Sequence, residues 1–361
     1  MTRDPDHLLP SRSPVQLIDE QGVAVSGDRP DFPSPAALLD AYAALVVGRR
    51  FNEQAYALVR QGRLAVYPSS HGQEACQVAA AQVLAPDDWL FPTYRDAVAI
   101  VTRGVDPVDT LTLFRGDWHT GYDARAHRVA PQTTPLATQL LHAVGVGHAA
   151  RLRGEPTVVM ALCGDGATSE GDFAEALNFA AVFRAPVVFL VQNNQYAISV
   201  PLSKQSAAPS LAHKGVGHGV VSERVDGNDV AALLAVLTGA VARARAGEGP
   251  QLIEAHTYRV AAHTNADDPG RYRVAAEVDE WIPRDPLTRT AAYLRGTGVL
   301  DDARQAGFDA EAERVAAALR AETTPTTDPG QLFAQVFASP TPQLREQAAL
   351  VRDELSREVD A

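Results

Sequence analysis

One acidic residue and two amides lie where they could hold a cation against a phosphate group. Asp165 is flanked by Gly164 and Gly166 and precedes a helical pattern, while Asn193 and Asn194 end the next apolar run. Glycines let backbone amides approach a diphosphate, and a helix N-terminus favours its negative charge. Because a carboxylate repels phosphates unless a divalent cation with oxygen ligands lies between them, the segment predicts a magnesium-diphosphate site.

The surrounding segments alternate between strand and helix patterns. Near-continuous apolar runs at 157–162, 186–192 and 250–258 are separated by helical stretches, which is typical of a parallel sheet covered by helices on both faces. Thr168 or Ser169 is expected to cap the helix after Asp165. The fold class is therefore α/β, with ligands expected at the carboxyl ends of the strands.

Composition divides the chain into three parts. Residues 1–34 are rich in Pro, Asp and Ser and predict an extended N-terminal arm, lying on a partner or on the body of the protein. Ser34 precedes a long helical pattern that stops near Gly62. Residues 35–290 form the predicted α/β domain, and 291–361 a helical, charged C-terminal tail.

Charge and hydropathy exclude several classes of protein. The 361 residues carry a formal net charge of -12, so no basic stripe exists for nucleic acid. No run approaches the ~18 apolar residues of a membrane helix, and the opening segment lacks a signal-peptide pattern. Cys76 and Cys163 lie in apolar patterns that suit buried, reduced thiols. We expect a cytoplasmic protein that binds neither membrane nor nucleic acid.

The glycine turn around Asp165 has two other interpretations. It could be only a tight strand-to-helix turn with surface asparagines, although the acid and both amides all fall at strand ends. A nicotinamide dehydrogenase needs G-x-G-x-x-G, but position 169 is Ser, and no Walker motif occurs in the chain. The residues favour the cation-diphosphate interpretation.

A series of short motifs along residues 40–290 points to one family. RQGRLAVYPSSHGQEA, LFPTYRDA, TTPLATQ, GDGATSEGDFAEALNFAA, QNNQYAIS, RVDGND and HTNADDPGRYR occur in that order. Together they resemble the alpha subunit of the thiamin-diphosphate-dependent first component of 2-oxo acid dehydrogenase complexes, closest to the branched-chain type and next to the bacterial pyruvate type. The resemblance implies the thiamin-diphosphate-binding fold and oxidative decarboxylation of a small 2-oxo acid. A subunit that has lost catalysis and serves as a scaffold is the alternative from another class.

The resemblance also implies the ligands of the cofactor. Magnesium would be held by Asp165, Asn194 and the backbone carbonyl of Tyr196. Arginines suit the diphosphate because their planar guanidinium gives paired donors. The other residues implied to contact the cofactor are Tyr94, Arg95, Thr134, Leu136, Gly164, Gly166, Ala167, Gln192, Arg259 and His263.

The TTPLATQ segment resembles a potassium site of some relatives. The implied ligands are Thr133, Pro135, Thr138 and Gln139. The same hydroxyl and carbonyl oxygens could equally cap the helix that follows, and both interpretations stay open at this point.

Two histidines resemble active-site residues of the family, His263 on a loop over the cofactor and His119. A histidine exchanges protons near neutral pH, which suits such a role. Ala261 and Ala262 replace residues that precede the loop histidine in relatives, which puts the rigidity of the loop in doubt. Thr264 stands where animal relatives carry a phosphorylated serine, and its regulation stays open.

The resemblance implies partner subunits. A glutamate that assists the cofactor comes from a separate beta subunit in an alpha-2 beta-2 heterotetramer, and the acyl group passes to the lipoyl group of an acyltransferase component. Gly145 and Gly147 lie within a helical pattern, where each costs about 1 kcal/mol relative to alanine. We expect them to admit a close neighbour, and an interface is the favoured location.

Overall fold

Five parallel strands form the sheet on which the candidate site is built. The computed structural model of the chain describes residues 6–25, 32–117, 119–321, 330–334 and 336–359. The strands in chain order are β1 (Trp89–Phe91), β2 (Val159–Gly164), β3 (Val187–Asn193), β4 (Tyr196–Ala197), β5 (Val200–Pro201), β6 (Val221–Asp226) and β7 (Gln251–His256). The order across the sheet is β1-β2-β3-β7-β6, and β4 and β5 form a separate antiparallel pair.

Helices connect and cover these strands. Among the described helices, none combines the length and the apolar composition needed to cross a membrane. The helices are α1 (Pro35–Arg60), α2 (Glu74–Gln82), α3 (Ala97–Thr102), α4 (Pro107–Thr110), α5 (Ala124–His127), α6 (Thr138–Arg153), α7 (Gly171–Phe183), α8 (His213–Gly217), α9 (Val230–Arg245), α10 (Ala275–Trp281), α11 (Pro286–Gly296), α12 (Asp302–Ala321), α13 (Gln331–Ala334) and α14 (Pro342–Val359).

Both faces of the sheet are buried, as the apolar runs predict. Along β2, the side chains of Val159, Ala161 and Cys163 pack with α6 and α7 in one core cluster. Met160 and Leu162 pack on the opposite face with helices that include α1, α2 and α9. Since successive side chains of a strand point to opposite faces, an uninterrupted apolar run is what two covered faces require. The α/β class and the parallel sheet are confirmed.

The sequence missed two strands of the sheet. The first, β1, has only three residues, which is too short to show a period. The second, β6, lies at the edge of the sheet and carries the polar residues Ser222, Glu223 and Arg224. An edge strand with one neighbour keeps partly exposed positions, so its sequence lacks the apolar run by which the three central strands were recognised.

The start of α7 differs from the prediction. A short 3-10 helix, Asp165–Ser169, follows β2, and α7 begins only at Gly171. Neither predicted cap acts as one, because the N-cap residue is Glu170 and no side chain caps this end. The Thr168 hydroxyl instead donates to the backbone carbonyl of Asp165 at 2.8 Å. The 3-10 turn uses this hydroxyl to fix the backbone around Asp165.

The N-terminal segment lies on the body of the protein where it is described. Val15 forms a parallel bridge with Val225 of β6 and so extends the sheet by one short strand-like contact. The α1 helix begins as predicted, with the Ser34 hydroxyl accepting from the backbone of Ala37 at 3.2 Å. Residues 1–5 and 26–31 of the predicted arm lie outside the described residues.

The chain divides into two compact units, Met1–Arg320 and Ala321–Ala361. The first contains the sheet and the helices α1 to α12 apart from the last residue of α12; the second contains α13 and α14. The domain boundaries predicted at 34 and 290 stay predictions.

The two helical glycines of α6 have different surroundings. A Cβ atom at Gly147 would lie 3.0 Å from Val187 Cγ2, so this glycine lets α6 approach β3 within the chain. For Gly147 the expected interface is therefore wrong. No atom lies within 4 Å of a Cβ built at Gly145, and an interface there stays a prediction.

Both cysteines are free and buried, as the sequence predicts. Burial raises the pKa of the Cys76 and Cys163 thiols well above the ordinary value. Neither thiol is a nucleophile near neutral pH, because the reactive form is the thiolate.

Candidate active site

The predicted site residues follow four neighbouring strands at the same edge of the sheet. Tyr94 and Arg95 follow β1, Asp165 follows β2, Asn194 follows β3, and Arg259 follows β7. The carboxyl ends of parallel strands meet at one edge, which is where ligands bind in open α/β sheets. Asp165 and Asn194 therefore converge as their positions at strand ends predict, and the residues that only the family resemblance implied, Tyr94, Arg95 and Arg259, lie at the same edge.

These strand ends surround a cavity of about 500 Å³, within the usual range for a cofactor site. Every residue predicted to contact the cofactor lines it, together with Tyr196, Thr133, Pro135 and Gln139. His119 and Thr138 are not among its lining residues. The geometry thus groups all but two of the predicted site residues.

Three oxygen atoms face one another at the edge of this cavity. When the Asn194 NH2 group donates to Gln73 Oε1 at 3.0 Å, Asn194 Oδ1 lies 3.2 Å from Asp165 Oδ1 and 3.0 Å from the backbone carbonyl oxygen of Tyr196; the opposite amide orientation would place the NH2 group there. The other carboxylate oxygen of Asp165 accepts from the Gln205 amide at 2.7 Å. Acceptors repel one another at such distances unless a cation lies among them. One carboxylate, one amide and one carbonyl oxygen are a donor set that fits a magnesium ion.

Asp165 is buried, with 1% of its surface exposed. Burial raises the pKa of its carboxyl group above the ordinary value, because the charged form loses its hydration. A bound divalent cation would favour the ionised form and remove this cost. Without a cation, the ionised Asp165 carboxylate therefore destabilises the folded protein. A bound metal ion would offset this effect.

Two buried arginines face the same cavity without a carboxylate partner. Arg95 and Arg259 are 6% and 1% exposed, and neither forms a salt bridge within the described part of the chain. Arg95 donates to the carbonyl of Ser69 at 3.0 Å and Arg259 to that of Ile198 at 2.7 Å, while the Nε atom of Arg259 has no partner. Buried guanidinium groups without a counterion are suited to an anionic ligand such as a diphosphate.

The two arginines also fix the protonation of His263. Its Nδ1 atom lies 3.0 Å from Arg95 Nη2 and 3.4 Å from Arg259 Nη1. Guanidinium groups only donate, so Nδ1 accepts and the ring proton is on Nε2. Burial, Arg95 and Arg259 lower the pKa of His263 to about 4. The ring is neutral at pH 7 and presents an N–H donor.

The low pKa of His263 predicts a pH dependence of stability in the cofactor-free protein. The pKa is about 4 in the folded chain and about 6.5 in the unfolded chain. The unfolded state binds the proton more tightly, so stability present above pH 6.5 is lost as the pH falls towards 4. Because the ring is partly exposed, we expect a loss of only about 1 kcal/mol. Urea unfolding between pH 7 and pH 4 should show a shallower pH slope for His263→Gln than for the wild type; equal slopes would contradict this assignment.

The loop that carries His263 is held by Arg273. Its guanidinium donates to the backbone carbonyls of Arg259, Val260 and Ala261. The backbone N–H of His263 donates to the Asp267 carboxylate at 2.8 Å. These bonds hold the loop in place although alanines occupy positions 261 and 262.

No hydroxyl of the TTPLATQ segment caps the following helix. Ala137, at φ 65°, is the N-cap residue of α6, and no side chain caps this end. The Thr133 hydroxyl donates to Gln139 Oε1 at 3.2 Å, and Thr138 contacts Asp172 at 3.5 Å. Capping by the hydroxyls is wrong, whereas the backbone carbonyl of Ala137 accepts from the N–H of Leu140 at 2.9 Å; the potassium site stays a prediction.

The second histidine, His119, is exposed and lies away from the cavity wall. Its Nδ1 atom accepts from the backbone N–H of Gly121 at 3.0 Å. Its catalytic role stays a prediction.

Three side chains near the site were not predicted to have a role. They are Gln73, Asp96 and Gln205, which contact the predicted ligands Asn194, Gln192 and Asp165 respectively. Gln73 and Asp96 lie inside the quoted motifs HGQEA and PTYRDA, so the motifs marked their positions but no spacing rule gave their contacts.

Comparison with known proteins gives the family of the chain. The family model described as "Dehydrogenase E1 component" matches residues 42–329. The chain is 46% identical over 361 residues to the 3-methyl-2-oxobutanoate dehydrogenase subunit alpha of Mycobacterium tuberculosis (strain ATCC 25618 / H37Rv), covering 99% of this chain and 98% of that protein. It is 35% identical over 347 residues to the pyruvate dehydrogenase E1 component subunit alpha of Staphylococcus aureus (strain N315), covering 95% and 94%. With a family model that spans most of its length and relatives that cover nearly all of it, the chain belongs to the dehydrogenase E1 component family.

Proposed function

We propose that this protein is the alpha subunit of a branched-chain 2-oxo acid dehydrogenase, a 3-methyl-2-oxobutanoate dehydrogenase (2-methylpropanoyl-transferring). It would decarboxylate the acid oxidatively and pass the acyl group to the lipoyl group of an acyltransferase component. The observation that carries the chemistry is the cavity where Asp165, Asn194 and the Tyr196 carbonyl face two unpaired arginines. The near full-length identity to a branched-chain subunit supports the substrate class.

Thiamin diphosphate is the cofactor that membership of the family implies, and when bound it supplies an electron sink for decarboxylation. Arg95 and Arg259 would hold its diphosphate. Asp165, Asn194 and Tyr196 would hold a magnesium ion between the protein and the phosphates. The positively charged arginines match the negative diphosphate, and the negatively charged Asp165 matches the magnesium cation.

We assign His263 to proton exchange with the substrate. Its Nδ1 atom is held by the arginines, so its Nε2–H is the group free to act. A donor close to the reacting carbonyl would stabilise the negative charge that develops on its oxygen.

A beta subunit would complete the site. Val66, Leu136 and Ile198 line the cavity and yet are 36%, 42% and 56% exposed in this chain. Exposed apolar side chains in the wall of a cavity support a partner that covers it. The alpha-2 beta-2 assembly, the lipoylated acyltransferase partner and the cytoplasmic location are further parts of this proposal.

The preference for a branched acid has its own support. The side chains of Val66, Leu113 and Phe114 give part of the cavity wall an apolar surface. Each methylene accommodated in such a pocket is worth about 1 to 3 kcal/mol. The specific alternative is pyruvate, because the S. aureus relative is a pyruvate dehydrogenase subunit.

A substrate comparison tests the proposal. The chain co-purified with its beta subunit should turn over 3-methyl-2-oxobutanoate with kcat/KM at least about tenfold above pyruvate, and far above 2-oxoglutarate. The assay would follow reduction of an artificial electron acceptor with thiamin diphosphate and magnesium present. A preference for pyruvate would move the assignment to the pyruvate type. Failure to turn over any of the three acids would favour a scaffold subunit.

A further inference from the structure

A chain of hydrogen-bonded side chains runs from a buried carboxylate to the proposed metal site. Gln192 Nε2 donates to Asp96 Oδ1 at 2.7 Å, Gln73 Nε2 donates to Gln192 Oε1 at 3.0 Å, and Asn194 Nδ2 donates to Gln73 Oε1 at 3.0 Å. None of the four side chains is more than 5% exposed. We call Asp96, Gln192, Gln73 and Asn194 the amide relay.

The direction of the amide relay is set at its first member. An ionised carboxylate only accepts, and Asp96 Oδ2 already accepts from the backbone N–H and the hydroxyl of Thr93, both at 2.7 Å. Gln192 must therefore turn its NH2 group towards Asp96. Gln77 Nε2, 3.4 Å from Gln192 Oε1, favours the same orientation. Each amide that follows is then oriented by the one before it.

The orientation of the last amide, Asn194, determines whether an oxygen or an NH2 group faces the metal site. In the direction set by Asp96, Asn194 gives its NH2 group to Gln73 and turns Oδ1 towards Asp165 and the Tyr196 carbonyl. In the reversed direction, the Asn194 NH2 would lie 3.2 Å and 3.0 Å from those two oxygens and donate to both. The reversed relay would thus fill the site with hydrogen bonds and exclude a cation.

We propose that Asp96 is a positioning residue for the metal site, acting through Gln192 and Gln73 to keep the oxygen of Asn194 turned towards the cation. The proposal rests on the proposed function, in which these oxygens bind magnesium. Asp96 contacts none of the three proposed metal ligands and is not itself a lining residue of the cavity, so its effect is transmitted by the direction of the three amides.

Asp96→Asn tests the proposal with an almost isosteric change. The N–H of Thr93 requires an acceptor, so the new amide oxygen would take the Oδ2 position and the new NH2 would face Gln192. The relay would then reverse. The probe is Mn²⁺, titrated by EPR into the full chain co-purified with its beta subunit, with saturating thiamin diphosphate and no substrate. We expect the Mn²⁺ Kd to rise about tenfold or more, as for other residues that orient metal ligands.

Two double variants separate direction from charge. In Asp96→Asn with Gln192→Glu, the carboxylate moves one step along the relay and again accepts from Gln73, so the oxygen of Asn194 returns to the site. Asp96→Asn with Gln77→Glu restores the same negative charge at a different place. A carboxylate at position 77 would accept from the NH2 group of Gln192, which keeps the relay in its reversed direction. Gln192 also lines the cavity, so the measure is the comparison between the two double variants, and we expect the first to bind Mn²⁺ more tightly than the second.

A control variant covers the loss of a negative charge at a helix start. Asp96 and Asp106 both precede short helices, but only Asp106 caps its helix through its side chain, and Asp106 lies outside the relay. Asp106→Asn should leave Mn²⁺ affinity unchanged, and thermal unfolding should show every variant folded. Equal Mn²⁺ affinity of wild type and Asp96→Asn, or equal recovery in both double variants, would overturn the relay while leaving the proposed function intact. If the wild type binds no Mn²⁺ with thiamin diphosphate, the metal site itself fails and the relay with it.

Discussion

Asp165→Ala should lose binding of thiamin diphosphate with magnesium, with a Kd raised by more than about 100-fold. The substitution removes the only carboxylate among the three facing oxygens, and two neutral oxygens hold a divalent cation poorly. Without the cation, the diphosphate keeps only its contacts with the arginines. Isothermal titration of thiamin diphosphate into the full chain with its beta subunit, at saturating magnesium, measures the change.

The same variant should be no less stable than the wild type when the cofactor is absent. The Asp165 carboxylate is buried, and burial raises its pKa, so the cofactor-free protein bears the cost of that charge. Its partner Gln205 keeps a second bond, to the carbonyl of Val200 at 2.9 Å. Loss of cofactor binding together with an unchanged or raised unfolding temperature would show that Asp165 serves to bind the metal and not to stabilise the fold.

Glu170→Gln is the matched control for Asp165→Ala. Glu170 follows the same 3-10 turn and is exposed, and the change removes one negative charge without altering the three oxygens. It should bind the cofactor as the wild type does. Wild-type cofactor affinity in Asp165→Ala would contradict the metal assignment.

The pairing of Asp165 with Asn194 was predictable because both follow apolar strands, and the carboxyl ends of parallel strands meet. The relay was not predictable, since Gln73, Asp96 and Gln192 lie at a helix start, a second helix start and a strand end, with no common period. Amide side chains also carry no charge that marks them as functional. Their roles appear only in the directions of their hydrogen bonds.

Metal sites are usually sought as clusters of charged ligands. The described residues contain no group of three or more His, Cys, Asp or Glu side chains that could hold a metal. The proposed site instead combines Asp165 with an amide and a backbone carbonyl. Such a site depends more on orientation than on charge, which is why a buried relay that orients Asn194 has a function to perform.

The RVDGND motif illustrates a second limit of sequence interpretation. It contributed to the family resemblance, but no role followed from its letters. In the structure, Asn228 donates to the backbone carbonyl of Gly72 at 3.2 Å, next to the relay residue Gln73. Asp226 and Asp229 of the same motif bind the buried Arg289 of α11. The motif therefore connects the site to the outer layer of helices.

Arg289→Met should lower the free energy of unfolding by about 3 to 5 kcal/mol, the cost of removing one partner from a buried ion pair. Arg289 is 1% exposed, lies 2.9 Å from Asp226 and 3.8 Å from Asp229, and donates to the carbonyl of Ile18. Methionine fills the volume of the stem but donates no hydrogen bond, so the buried carbonyl of Ile18 loses its donor and the carboxylates of Asp226 and Asp229 lose their counterion. The measurement is urea unfolding of the full chain.

Arg295→Met on the same helix separates a buried from an exposed ion pair. Arg295 contacts Asp302 at 2.9 Å, but the two side chains are 45% and 96% exposed, so the loss of this pair should lower the free energy of unfolding by less than about 1 kcal/mol.

Arg289→Met should also release the N-terminal segment. The Asp229 carboxylate, whose charge Arg289 compensates, accepts from the N–H groups of Leu17 and Ile18 at 2.7 and 2.8 Å. Faster hydrogen exchange at those two amides, with Arg295→Met unchanged, would support this coupling. Equal unfolding free energies for the two variants would show that the buried network contributes no more than a surface pair.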